Sequence, residues 1–306
     1  MSRFLVRRLF LLVPVTWGVS TLVFLLIHLT PGDPVDVMVG ETALPAAKEA
    51  LRHTLHLDRP LPEQYLHFLQ GLLNGDLGTS LFSREPVLAR ILKALPATIE
   101  LAVAGLAAAI IIALPLGVLA AVRRGSRLDH GSRFAALLGV SIPNFVLGPL
   151  LIIAFAVQLN WLPVSGRGGL AHLVLPALTL GMAMAGILSR MVRASLLEVL
   201  GQEYIRAARA KGLSEGRVIL RHGLMAALIP VITIVGLQCG ALLAGTIITE
   251  TIFAWPGLGR LTLQAIHARD YPLVQGCVLV ISFGYVIVNA VTDVVYAYVD
   301  PRIRYG

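Results

Sequence analysis

Apolar residues gather into six long runs separated by polar stretches: Leu9–Leu29, Leu101–Val122, Phe134–Leu159, His172–Ser189, Gly223–Thr249 and Tyr271–Thr292. About 20 apolar residues cross a bilayer as a helix, because only a helix satisfies its own backbone groups there. The pattern predicts an all-α membrane protein with six transmembrane helices. Between the first two runs lies a polar insertion, Thr30–Leu95. Within it Ala46–Leu57 and Pro62–Leu73 show the 3–4 spacing of short amphipathic helices, the second closed by Asn74-Gly75.

Composition agrees with the pattern. Of 306 residues 57% are hydrophobic and 14% charged, and the mean hydropathy is +0.81, against about 25% charged in soluble domains. The net charge of +8 reads as the basic collar of a multispanning protein, and no DNA- or RNA-binding motif accompanies it, so no nucleic-acid partner is expected. Sixteen of the twenty-five lysines and arginines fall in segments that alternate with the outer loops. They are Arg3, Arg7, Arg8, the four arginines of 123–133, the seven bases of 190–221, Arg302 and Arg304. The two short outer loops hold Arg167, Arg260 and Arg269. This bias puts both termini in the cytoplasm and the insertion outside. The first run is too long for a signal-peptide h-region, and Thr-Pro-Gly-Asp33 follows it in place of a cleavage site, so it reads as an uncleaved span. The domains expected are 1–29 (tail and first span), 30–95 (extracytoplasmic insertion) and 96–306 (a five-helix core with a cytoplasmic loop at 194–222).

Local signals modify the spans. Ser141-Ile-Pro-Asn-Phe145 breaks the third, since Pro143 removes a backbone donor. Asn144 there is either a pore residue or part of a packing kink. Gln238 and Asn289 are further polar positions for a translocation path. Gly236, Gly240 and Gly245 let another helix approach the fifth span. Asp293, an acid within a span, would serve a proton-coupled secondary transporter, or else pair with an arginine at the inner surface. His28 and Glu100 suit interfacial packing. Cys239 and Cys277 lack metal-ligand spacing and read as small core residues. Gly139-Val-Ser141-Ile has no partnered histidine to make it a serine protease.

The most distinctive stretch is Glu203–His222, basic and set between two apolar runs. Gly201–Lys211 is a good helix former. Tyr204, Ile205, Ala208 and Lys211 fall at 3–4 spacing, so one face can meet a partner. Gly212 stops the helix in a left-handed conformation, and Ser214 caps a second short helix with Glu215 in its first turn. Read from these residues alone, the stretch is either a dock for another protein or a solvated loop held by anionic lipid.

Ala207-Ala208-x-x-x-Gly212 resembles the cytoplasmic coupling loop of ABC importer permeases, with Arg206 where the family has a glutamate. Leu29-Thr-Pro-Gly-Asp-Pro-Val35, Glu250-Thr-Ile-Phe-Ala-Trp-Pro-Gly-Leu-Gly-Arg260, Arg269-Asp-Tyr-Pro272 and the tail Asp300-Pro-Arg-Ile-Arg304 resemble the dipeptide, oligopeptide and nickel branch. The resemblance implies a type I ABC importer permease fold in a bacterial or archaeal cytoplasmic membrane. It also implies a second, related permease as heterodimer partner, two ATP-binding subunits and an extracytoplasmic substrate-binding protein. The coupling residues it implies are Glu203, Tyr204, Arg206, Ala207, Ala208, Arg209, Lys211, Gly212, Leu213 and Arg217. The insertion would cap the outer mouth and meet the binding protein, or serve as a packing lid. None of the three lysines, Lys48, Lys93 and Lys211, sits in a phosphate loop. The chain is therefore expected to need no cofactor and to be no enzyme, with ATP hydrolysed elsewhere. The cargo implied is short peptides, with nickel or an opine-type chelate as the alternative.

Overall fold

The computed structural model describes residues 13–25, 33–40, 42–54 and 57–299. The expectations for Arg3, Arg7, Arg8, His28 and the Asp300–Arg304 tail lie outside these residues. Among the described residues thirteen helices follow in order: α1 Val13–Leu25, α2 Pro34–Val39, α3 Pro45–Thr54, α4 Leu61–Leu73, α5 Val87–Val122, α6 Arg127–Ser141, α7 Asn144–Leu151, α8 Leu170–Leu200, α9 Glu203–Ala210, α10 Glu215–Arg217, α11 Met225–Ile252, α12 Leu258–His267 and α13 Tyr271–Val299. Two π-helical segments, Ile152–Gln158 and Val218–Leu224, extend α7 and precede α11. Among the described residues the β-structure is a single isolated bridge between Thr79 and Pro86.

Among the described residues four helical stretches are long and apolar enough to cross a membrane, α5, α8, α13 and the run from α10 into α11, and the bent pair α6–α7 makes a fifth span if counted as one. α1 is a shorter apolar helix inside the predicted first span. Span limits differ from the sequence pattern wherever a helix outruns its apolar stretch. α5 starts at Val87, inside the predicted insertion, and its 36 residues reach about 54 Å, well beyond a hydrocarbon core of about 30 Å. α8 continues through Arg190 and Arg193 to Leu200, so those arginines end the apolar stretch without ending the helix. α11 carries Glu250 in its last turn, where an outer loop was expected.

The proline at 143 produces more than a kink. Ile142 is extended (φ −86°, ψ 115°), as the residue before a proline prefers, and α6 and α7 meet at 108°. The Pro143 carbonyl then accepts from Val146 and Leu147 and starts α7.

The chain divides into two compact units, one of Thr98–Trp255 with the residues from Ile287 onward, the other of the residues up to Ala97 with Pro256–Val286. In the first, α8 is the central element, lined by buried Leu175, Leu180, Met184, Leu188, Val192 and Leu196. Glycines on the second to fourth predicted spans allow its close packing. A Cβ at Gly181 would lie 2.4 Å from the Gly105 carbonyl, and one at Gly186 would lie 2.4 Å from that of Ala136. The sequence had pointed to the fifth span for such contacts. There Gly236 and Gly240 are buried, Thr292 Oγ1 donates to the Gly236 carbonyl, and the surroundings of Gly245 lie outside the described residues.

In the second unit Val87, Ile91, Leu258, Leu261, Ala265, Leu273 and Cys277 form one apolar cluster. Asp270 is buried and accepts from Ser80 Oγ (2.5 Å) and the Leu81 and Leu273 amides, joining the 76–86 loop to the start of α13. Asp33 caps α2 through the Val35 amide and binds Arg52 of α3, and the Arg52 hydrogen bond with that amide holds its carboxyl below the usual range. A cavity of about 1080 Å³ opens among α3, α4, the 74–84 loop and the first turns of α13.

Candidate coupling site

The basic stretch becomes a small folded knob at the end of α8. Gln202 is extended (φ −74°, ψ 151°) and starts α9. Ile205 and Ala208 turn inward against Val218, with Val199, Leu200 and Leu213 around them. This apolar seam fixes α9 to the helix that delivers it and to the segment that follows.

The end of α9 is a Schellman turn. The Leu213 amide donates to the Ala208 carbonyl and the Gly212 amide to that of Arg209, with Gly212 at φ +77°. No atom lies within 4 Å of where a Gly212 Cβ would stand, so the backbone conformation, not space, demands glycine. Ser214 occupies the N-cap position of α10, and Glu215 its first turn, but the serine side chain makes no capping hydrogen bond. Backbone amides of Arg217 and Val218 bond to the Ser214 carbonyl instead.

The exposed surface differs from the face expected. Ile205 and Ala208 are spent on the seam, while Tyr204, Ala207 and Lys211 stand outward at 3–4 spacing, flanked by Glu203, Arg206, Arg209 and Arg217. Arg206 pairs with Glu203 at 2.9 Å and Arg209 with Glu215 at 2.8 Å. Lys211 and Arg217 form no ion pair among the described residues. Tyr204 Oη donates to the His222 carbonyl at 3.4 Å, which steadies the ring without covering it.

Ten residues before α9, Arg193 of α8 holds Asp129 of α6 through two hydrogen bonds, and Asp129 also accepts from the Gly125 amide. The sequence reading passed over this carboxylate. Its signal was that it is the one acid among the arginines of 123–133.

Asn144, Gln238 and Asn289 lie on α7, α11 and α13 of the same unit, each half-buried. None of the three makes a side-chain hydrogen bond among the described residues, and none bonds another. Asp293 lies on α13, with its side chain outside the described residues. Glu250, not singled out from sequence, is fully buried and accepts from Thr98 Oγ1 at 2.6 Å. Glu100 pairs with Arg167, whose guanidinium stands 6.0 Å from the buried Trp255 ring. Among the described residues no group of three or more histidine, cysteine or carboxylate side chains is placed to hold a metal.

Two family models cover most of the chain. Residues 113–305 match the binding-protein-dependent transport system inner membrane component, and residues 1–102 match the N-terminal part of such components. The chain is 43% identical to the dipeptide transport system permease protein DppB of Escherichia coli K12, aligned over all of this chain and 99% of that protein. It is 45% identical to the glutathione transport system permease protein GsiC of Pectobacterium atrosepticum over the full length of both. With the di/tripeptide transport system permease protein DppB of Pseudomonas aeruginosa identity is 44%, over all of this chain and 99% of that one. Among solved structures, the inward-facing MetNI methionine ABC transporter superposes with a TM-score of 0.57 at 21% identity, over 71% of this chain and 99% of that one, a likeness of fold. A helical chain with several apolar spans, matched end to end, belongs to the inner-membrane permease components of binding-protein-dependent ABC importers.

Proposed function

We propose that this permease carries short peptides, passed to it by an extracytoplasmic binding protein, as one half of a heterodimer with a related permease and two ATPase subunits. On this reading α1 completes a six-span count with both termini cytoplasmic. Residues 30–95 form the extracytoplasmic part, and the 1080 Å³ cavity belongs to the face that meets the binding protein. Residues 96–306 form the core. Three relatives bear dipeptide, di/tripeptide and glutathione in their names, which supports peptide over chelated nickel.

The observation that carries the reading is the α9 knob. A helix of eight residues is too short to be stable by itself. Here its inner face is fastened to the end of a 31-residue transmembrane helix, so displacement of the knob moves α8 with it. The stripe Tyr204, Ala207, Lys211, with Glu203, Arg206, Ala208, Arg209, Gly212, Leu213 and Arg217 shaping or flanking it, is the ATPase dock. Nucleotide-driven approach of two such docks would turn the path between the permeases outward, a two-state element biased from both ends. Asn144, Gln238 and Asn289 line that path. An amide at membrane depth without a protein partner is tolerated where water can reach it.

The test is reconstitution of the chain with its partner subunits in vesicles and measurement of ATP-dependent uptake of a labelled dipeptide. Uphill uptake by this chain alone, or uptake indifferent to ATP, would end the proposal.

A further inference from the structure

At the end of the bundle that carries the knob, α5, α6 and α8 leave a shallow crevice lined by Leu116, Ser132, Arg133, Ser189, Arg190 and Arg193. Close glycine contacts bring its walls together. A Cβ at Gly117 would lie 2.6 Å from Val192 Cβ and one at Gly139 would lie 3.0 Å from the Met182 carbonyl. Arg193 is committed to Asp129. Arg133 and Arg190 are exposed and pair with no carboxylate among the described residues. Asp129 is near enough to Arg133 for a Coulombic interaction, but its hydrogen bonds go to Arg193 and Gly125. The result is two available guanidiniums at the mouth of a narrow, mostly apolar notch with about 10 Å³ of free volume, roughly room for one water.

The depth of the notch fits a bilayer surface. Arg190 is the first arginine or lysine of α8 after a long apolar stretch. It precedes Leu200 by ten residues, about 15 Å along the helix. With the knob in water, Arg190 stands at headgroup level. The deeper flank is apolar: Leu137, one turn from Arg133 on the side away from the knob, is about half exposed. A soluble anion would use the guanidiniums and leave that leucine idle, whereas a lipid uses both.

We infer that this notch is a binding site for an anionic phospholipid, its headgroup phosphate bridging Arg133 and Arg190 at the mouth and its acyl chains lying along Leu137. Basic recesses between spanning helices favour such headgroups. The site lies apart from the α9 knob and does not depend on the cargo.

The test uses the full chain with its partner subunits, delipidated in mild detergent, and native mass spectrometry with added short-chain phosphatidylglycerol. Arg133→Gln with Arg190→Gln should weaken binding roughly 30-fold, from the loss of two cations at an anionic headgroup. The corresponding lysine pair should stay within a few-fold of the parent, because the charge is kept. Arg123→Gln with Arg124→Gln, which removes exposed charge away from the notch, should change binding less than threefold. If the glutamine pair does not fold, Arg190→Gln alone should weaken binding about fivefold. Equal weakening by the 123/124 pair would reduce the site to a diffuse basic collar and overturn it. So would equal competition by inorganic phosphate or glycerol phosphate, which would mean a bare anion site. Unchanged lipid binding with loss of the ATPase subunits would mark a protein interface and overturn it as well.

Discussion

Arg193 grips Asp129 in a two-pronged pair, Nε to Oδ1 at 2.7 Å and Nη2 to Oδ2 at 2.8 Å, with the carboxylate 2% exposed and the guanidinium 22%. The pair ties the α8 shaft, which ends in the α9 knob, to the first turn of α6. A planar fork matching a carboxylate is a geometry that lysine cannot copy. Arg193→Leu should therefore destabilise the purified protein by roughly 3 kcal/mol, because it strands a buried charge. Asp129→Leu with Arg193→Leu should recover part of that loss. Thermal unfolding of the two single variants and the double variant forms the cycle that measures the coupling. Strict additivity would show the pair to be idle.

Gly212→Val should insert normally and fail to couple. The left-handed backbone costs a residue with a side chain about 1–2 kcal/mol, and relief would come by unwinding the Schellman turn and tilting α9. ATP-driven dipeptide uptake should fall to a few percent with membrane levels unchanged. Wild-type uptake would refute the role given to this glycine.

Neighbouring alanines should behave oppositely. Ala208→Trp forces a large ring into the Ile205–Val218 seam and should cost 1–3 kcal/mol or more of stability. Ala207→Trp adds the same ring on the outside, should leave the melting temperature nearly unchanged, and should block recovery of the ATPase subunits in a pull-down. Equal ATPase recovery with both variants would remove the outward stripe as the dock.

Uptake should survive collapse of the proton gradient while ATP is clamped, in the parent and in Asp293→Asn and Glu250→Gln. Glu250 is the buried acid best placed for a proton-coupled reading, yet its Oε1 is already engaged by the Thr98 hydroxyl, which donates to it at 2.6 Å. Uptake that follows the proton gradient and ignores ATP would instead establish a secondary transporter.

The α2–α3 junction should loosen in acid. The Asp33 carboxyl sits below its ordinary value because Arg52 and the Val35 amide bind its ionised form. A depressed pKa means the contribution is present above the unfolded value near 4 and lost as pH falls below it. Protease cleavage within 33–54 should accelerate between pH 5 and pH 3. Asp33→Asn should cut faster than the parent near neutral pH, lose that acceleration, and converge with the parent in acid.

Much of the fold was legible because the bilayer imposes a coarse rule on sequence. α3, α4, α9 and the Gly212 turn appear within a few residues of expectation, each announced by local periodicity or a glycine stop. Span limits were less legible, because a helix continues wherever backbone bonding continues. α5 extends back to Val87, and α8 runs past Arg190 and Arg193, whose long side chains keep their charges away from the apolar stretch. The Pro143 break was visible, but its 108° bend was not, since the angle depends on what α6 and α7 pack against.

The sequence by itself determined that this chain is helical, lives in a membrane and carries a basic, glycine-stopped elbow, because composition, 3.6-residue periodicity and left-handed glycine are properties of the chain alone. Only the tertiary structure decided which face of the elbow is spent on packing and which is offered. Ile205 and Ala208 bury themselves because Val218 returns to meet them, leaving Tyr204, Ala207 and Lys211 outside. The pairing of Arg193 with Asp129, 64 positions apart, follows from two helices brought side by side, a relation that no local pattern encodes.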